Sequence, residues 1–231
     1  MKKLLYVFIF MFVVTGLSNA QKMTAFKPSL QILVKGAYST PLSHEEFKDF
    51  TGGFPGAQLE LAYDFNSCWG VYGNFSADFI SAKGFPVTIG GVTSDLKTTT
   101  QLSGTIGPRY YFNLPSAPLW KIYADAGVGI YSVKAGDNSE TSSLGSITVT
   151  QDAFSQVGLN LGAGANVVVS SKMVVNFGAK YHFIMKKSDY SQTGTVTTST
   201  GSSAPYVSPA GTIAERSYLQ FSLGLGFRLG M

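Results

Sequence analysis

The residue types that usually do chemistry are scarce in this chain. It has two histidines, His44 and His182, and one cysteine, Cys68. A hydrolytic zinc motif needs a second histidine one helical turn away, and His44-Glu45-Glu46 offers none. A single cysteine can form neither an internal disulfide nor a cysteine-rich metal cluster, and next to a turn it reads as a lone thiol. The expectation is a protein that is not an enzyme and has no catalytic residue, metal or cofactor. The charged residues say more. Lys35, Glu60, Asp64, Asp78, Arg109, Lys121, Asp125, Lys180 and Arg228 all fall on the polar side of segments in which polar and apolar residues alternate. Charges of both signs gathered inside a closed sheet must pair, because desolvating a lone ion is costly. These nine are the candidate ion-pair residues, with Arg109 and Arg228 expected to meet Glu60 or Asp64.

The elements that would position them are clearest in the stretch Tyr218–Leu229. Leu219, Phe221, Leu223, Leu225, Phe227 and Leu229 alternate there with Tyr218, Gln220, Ser222, Gly224, Gly226 and Arg228. Successive strand side chains point to opposite faces, so one face is apolar throughout and the other small or polar. In a secreted β-sandwich the apolar face would meet a second sheet. In a membrane barrel it would meet lipid, with the polar face turned to a lumen.

The N-terminus and the composition separate the two. Lys2 and Lys3, the apolar run Leu4–Val14 and the small residues up to Ala20 have the layout of a secretory signal, so residues 1–20 are read as a cleaved signal peptide and 21–231 as one domain. The apolar run is shorter than the roughly 20 residues a spanning helix requires. The signal holds two lysines and no acid, so its removal lowers the formal charge from +4 to +2, too little for a nucleic-acid-binding surface. Charged residues make up 13% of the chain and glycine is frequent, at 26 of 231 residues. Soluble domains average roughly 25% charged residues. An exported, charge-poor chain without spanning helices can still enter a membrane if its strands close into a barrel.

Seven earlier segments share the two-residue period: 29–38, 57–65, 69–80, 100–112, 120–133, 154–167 and 173–183. With the last stretch they make eight, each of a length suited to a tilted membrane-crossing strand. Short links (66–68, 113–119, 170–172) alternate with long ones (39–56, 81–99, 134–152, 184–217), as in barrels with short periplasmic turns and long external loops. Tyr63, Phe65, Trp69, Tyr110, Phe112, Trp120 and Phe227 fall beside the short turns. Tyr38, Phe79, Phe154, Tyr181 and Phe183 fall at the other end, and the two groups are expected to form interfacial girdles. The predicted fold is all-β: an eight-stranded antiparallel up-and-down transmembrane β-barrel.

Gly107-Pro108-Arg109-Tyr110-Tyr111-Phe112, Tyr123-Ala124-Asp125-Ala126-Gly127-Val128-Gly129, Gly158-Leu159-Asn160-Leu161-Gly162-Ala163-Gly164 and the closing segment together resemble the small outer-membrane β-barrel proteins of the OmpA-transmembrane, OmpX and opacity-protein group. Ser222, Gly224, Phe227 and Leu229 look like that family's C-terminal signal for the barrel-assembly machinery, although here Gly230-Met231 follows where a terminal aromatic is common. The peptidoglycan-binding domain of larger members is expected to be absent. The resemblance implies the outer membrane of a Gram-negative-type bacterium. It also implies contact with outer-membrane lipid and lipopolysaccharide and a monomeric state, while the width of an eight-stranded barrel predicts a side-chain-filled lumen. Some barrels of this size modify lipids with a histidine, a nearby serine and an acid, but His182-Phe183-Ile184 lacks such a serine.

The long loops are the expected working surface, with a structural role or one in adhesion to an extracellular protein partner. Pro86–Thr93 reads as a hairpin around Gly90-Gly91, and 146–150 and 193–200 are strand-like, so the loops are either a protruding sheet that captures a partner by strand addition or a mobile, Ser/Thr/Gly-rich solvated surface. Segment 201–209 reads as a loop. The alternatives are a narrow channel for small or hydrophobic solutes, a lipid-modifying enzyme and a secreted β-sandwich.

Overall fold

The computed structural model describes residues 28–43, 52–80, 86–89, 92–95, 99–113, 119–134, 138–142, 145–190, 193–198, 201–207 and 211–229. The signal-peptide segment, His44 and most of the first long loop lie outside them. The strands run in order β1 (Ser29–Pro41), β2 (Phe54–Asp64), β3 (Trp69–Ile80), β4 (Pro86–Ile89), β5 (Val92–Asp95), β6 (Thr99–Asn113), β7 (Trp120–Lys134) and β8 (Asn138–Ser142). There follow β9 (Gly145–Gln151), β10 (Phe154–Val168), β11 (Met173–Ile184), β12 (Lys187–Tyr190), β13 (Thr193–Thr198), β14 (Ser203–Val207), β15 (Gly211–Ile213) and β16 (Arg216–Leu229).

Eight of these are the staves of a closed barrel in the order β1-β16-β11-β10-β7-β6-β3-β2. Every neighbouring pair is antiparallel, and the first stave closes on the last through Leu30↔Leu229, Val34↔Leu225 and Tyr38↔Phe221. Closure leaves no unpaired strand edge, which is the condition for β-structure in lipid. The β6–β7 ladder skips Gly107 and Pro108, where proline has no N–H to donate.

Burial alternates residue by residue along the staves, most regularly through β2, β3 and the second half of β16. The exposed face is apolar: Leu59, Leu61, Phe75, Ile106, Leu161 and Leu223 are among its residues. The buried face is mostly polar, an inversion of the usual globular pattern that fits a protein solvated by lipid. The short turns are closed by side chains. Asn66 Oδ1 accepts the backbone N–H groups of Cys68 (2.8 Å) and Trp69 (2.7 Å). Ser170 Oγ accepts those of Lys172 (3.3 Å) and Met173 (3.1 Å).

The staves differ from the predicted segments at the long-loop end. β2 starts at Phe54 instead of Ala57, because Phe54 pairs with Ser39 and is buried at the barrel mouth, which outweighs the turn signal of Pro55-Gly56. Phe154 lies on the inward side of β10, opposite buried Val133 and under Arg216, so it is not part of the outward girdle. On the short-turn side Tyr110 is packed edge-on between Trp69 (4.9 Å) and Phe112 (5.0 Å), and is therefore nearly buried although its parity is outward.

Beyond the barrel, β4 and β5 form the hairpin expected around Gly90-Gly91. β12 and β15 continue the line of β11 and β16. A four-stranded sheet has the order β14-β13-β9-β8. Segment 201–209 is thus not a plain loop. Its residues Ser203–Val207 form the edge strand β14, paired with β13 from Thr193↔Val207 to Thr197↔Ser203.

Candidate functional site in the barrel interior

The inward faces of the staves bring the candidate charges into one cluster. Glu60 on β2 is its centre. Lys35 Nζ on β1 lies 2.7 Å from Glu60 Oε2, and Arg109 Nη1 on β6 lies 2.7 Å from Glu60 Oε1. Arg109 Nη2 reaches Asp125 Oδ2 on β7 at 2.8 Å, and Lys180 Nζ on β11 lies 3.6 Å from Asp125 Oδ1. The chain Lys35–Glu60–Arg109–Asp125–Lys180 therefore crosses the lumen. The side chains of Glu60 and Asp125 are 0% exposed and that of Arg109 1%. At this burial each ion needs its partners, since an unpaired charge would bear the full desolvation cost.

Aromatic rings complete the cage. The Arg109 guanidinium lies 3.9 Å from the centroid of Tyr123 and 5.0 Å from that of Tyr72, while Lys180 Nζ lies 4.0 Å from the Tyr72 centroid. Such cation–π contacts gain strength where water is excluded. Tyr72 on β3 donates to Asn160 Oδ1 on β10 at 2.5 Å. Seven staves thus supply a side chain, and β16 supplies room: a Cβ on Gly224 would lie 2.4 Å from Lys35 Cγ. The same holds for Gly162, whose added Cβ would meet Asp125 Oδ1, and for Gly164, whose Cβ would meet Tyr123 Oη. Glycines on the inward face leave space for the large side chains.

Towards the short turns an amide relay forms the floor. Asn176 Nδ2 donates to Tyr123 Oη (3.0 Å) and to Asn166 Oδ1 (2.7 Å). Asn166 Nδ2 donates to Gln31 Oε1 (3.1 Å), and Gln31 Nε2 to Asp64 Oδ2 (2.7 Å). Lys121 Nζ stands 4.0 Å from Asp64 Oδ2. An apolar layer of Leu33, Ala62, Tyr72 and Val174 lies within this half.

Towards the long loops the layer is polar and includes the carboxyl group of Asp78. Gln220 Nε2 donates to Asp78 Oδ1 (3.0 Å), and its Oε1 accepts from Gln58 Nε2 (2.5 Å). His182 is held at both ring nitrogens, Nδ1 by Tyr131 Oη (2.8 Å) and Nε2 by Gln220 Oε1 (3.2 Å), and is stacked on Tyr218 at 4.5 Å. Phe54, Ile80, Tyr131, Ile184 and Tyr218 form an apolar cluster at this end.

Of the nine candidates, seven lie in ion pairs. Arg109 meets Glu60, whereas Asp64 faces Lys121. Arg228 has no carboxylate within 4.0 Å among the described residues, because on β16 it lies beside Gln31 at the short-turn rim. Asp78 likewise has no cation within that distance among the described residues, and Ser76 and Gln220 donate to it instead. Sequence reasoning overlooked the glycines, the apolar lumen residue Leu33 and the bridging role of Gln220. Only the inward parity of their positions signalled them. In the closing strand, Ser222 and Gly224 face inward while Phe227 and Leu229 are exposed on the outer face.

A closed eight-stranded antiparallel barrel with an apolar exterior and an ion-paired, side-chain-filled interior is the architecture of a small membrane β-barrel protein. The chain belongs to the outer membrane protein beta-barrel domain family, whose model matches residues 10–227. Its fold is similar to that of a major outer membrane protein from Thermus thermophilus, at a TM-score of 0.59 and 13% identity over 87% of this chain and 99% of that one. It is also similar to OprG of Pseudomonas aeruginosa, at a TM-score of 0.51 and 13% identity over 89% and 97% of the two chains. A search of curated protein sequences returns no match.

Proposed function

We propose that this outer-membrane β-barrel protein is a closed scaffold that presents its extramembrane strands to a partner. The observation that carries this reading is the Lys35–Glu60–Arg109–Asp125–Lys180 chain, which spans the interior with its central residues sealed from solvent. An eight-stranded barrel is only wide enough for its own side chains, so the interior acts as a brace. The strands β8, β9, β13 and β14 offer a Ser/Thr-rich sheet for contact with an extracellular protein. Pro205 in the edge strand β14 removes one donor from that edge, which favours contact through a sheet face over strand addition.

In this reading residues 1–20 export the chain, and Ser222, Gly224, Phe227 and Leu229 present the closing strand to the assembly machinery. The apolar belt contacts outer-membrane lipid and lipopolysaccharide in a Gram-negative-type cell, and the protein works as a monomer. The reading is of a non-enzymatic role: His182 is buried, and among the described residues its two ring nitrogens are held by Tyr131 and Gln220. Planar-bilayer recording is the test. The closed scaffold gives no steady current, and stable unitary conductance would replace this reading with a narrow channel.

A further inference from the structure

We propose that the short-turn mouth of the barrel is a binding site for a soluble phosphate-bearing anion, built from Lys121, Arg228 and Lys172. Lys121 and Arg228 both face the lumen and flank a single cross-lumen hydrogen bond. Arg228 is the register partner of Gln31, Lys121 is that of Asn166, and Asn166 Nδ2 donates to Gln31 Oε1 at 3.1 Å. Directly paired residues on adjacent antiparallel strands lie about 5 Å apart at Cβ. The two cations are therefore held on opposite sides of one amide pair. Lys172, exposed in the turn between β10 and β11, is tied to the same rim, because its carbonyl accepts the backbone N–H of Arg228 at 2.8 Å.

The carboxylate at this end does not balance these charges. Among the described residues Asp64 is the only acid there. It is buried, it already accepts from Gln31 and Ser29, and Lys121 approaches it only to 4.0 Å. Arg228 is half-buried and has no carboxylate within 4.0 Å among the described residues, and its Nε is buried without a hydrogen-bond partner among them. A guanidinium and two ammonium groups around one mouth suit a multiply charged oxyanion, which charge-assisted hydrogen bonds hold strongly. The geometry also selects the source of the anion. The outward residues at this end are apolar (Trp120, Phe112, Tyr63, Phe227 and Leu229), so a lipid headgroup outside the barrel meets the girdle, while Lys121 and Arg228 stand on the inward face, only partly buried.

The experiment is calorimetric titration of inorganic pyrophosphate into the full-length mature protein, folded in an uncharged maltoside detergent at low ionic strength, where screening is weak. Saturable binding is expected. The variant Lys121→Gln/Arg228→Gln weakens it by about tenfold or more, a loss of at least one decade in Kd. Lys172→Gln, a turn substitution that leaves the lumen untouched, weakens it less. Lys134→Gln at the opposite end leaves it unchanged. Each variant is first checked for the heat-dependent gel shift of a folded barrel. Repeating the titration in nanodiscs of phosphatidylglycerol and of phosphatidylcholine separates the sources: equal affinity in both supports a soluble anion. Abolition of pyrophosphate binding by phosphatidylglycerol would overturn the assignment in favour of a lipid headgroup. Absence of saturable binding, or a Kd unmoved in both Lys172→Gln and the double variant, overturns the site itself.

Discussion

Arg109 shows how one side chain can organise a barrel interior. It holds Glu60 at 2.7 Å and Asp125 at 2.8 Å, with Tyr72 and Tyr123 against its guanidinium. Replacing it with methionine leaves two buried carboxylates facing each other. The expected cost is about 3–5 kcal/mol, the range for breaking a buried pair. Urea unfolding in phospholipid vesicles, followed by tryptophan fluorescence, measures it. Adding Glu60→Gln to the same chain restores part of the loss, and strict additivity of the two would show that the residues are not coupled. The glycines make a second test. A Cβ at Gly164 would lie 2.3 Å from the Phe177 carbonyl and 2.5 Å from Tyr123 Oη, whereas one at Gly73 meets nothing within 4 Å. Gly164→Ala is expected to destabilise by about 1–3 kcal/mol through overpacking. Gly73→Ala should be close to neutral in the same assay.

At the scale of the element, two-residue alternation is what every stave has in common, and its outer face answers to lipid. Leu223 stands in the middle of β16, paired with Gly36 and Phe177. Leu223→Arg places a cation against hydrocarbon and should cost about 2–4 kcal/mol near the bilayer midplane, falling towards either interface. The extramembrane strands are elements of another kind. Their pairing is local to the loops, and among the described residues β14 joins its sheet along β13 alone. Deleting residues 201–209 should therefore remove one edge strand and leave the barrel intact. The heat-dependent gel shift of the deletion variant checks this, and its loss would mean that β14 supports the staves.

For the whole molecule, closure and filling are one property. The staves can meet only if the interior holds what they point inward, and here that is an ionic centre with apolar layers towards both ends. Converting Lys35, Glu60, Arg109, Asp125 and Lys180 together to alanine removes the whole ion-paired chain that crosses the lumen and leaves none of its charges without a partner. This variant should admit water and small ions, seen as current in planar bilayers where the closed-scaffold reading expects none from the parent. Continued silence would assign the seal to the apolar layers.

The alternation of apolar and polar residues determined by itself that there are eight staves, which face each side chain takes and where the short turns lie. A period of two needs no knowledge of neighbours, and the segments 69–80 and 120–133 were legible to within a residue of β3 and β7. Which charges meet was not legible. Glu60 and Arg109 lie 49 positions apart and touch because strand register and tilt bring their levels together, a quantity that sequence spacing does not contain. Arg228 carries the same kind of pattern as Arg109, yet its place at the rim of β16 sets it beside Gln31 instead of an acid. Phe54 joined a strand despite Pro55-Gly56 because burial at the mouth outweighed the local turn preference. The sequence determined the faces and the count of the staves, because both follow from local geometry. The tertiary structure decided the partners, because only the closed cylinder brings distant strands to the same height.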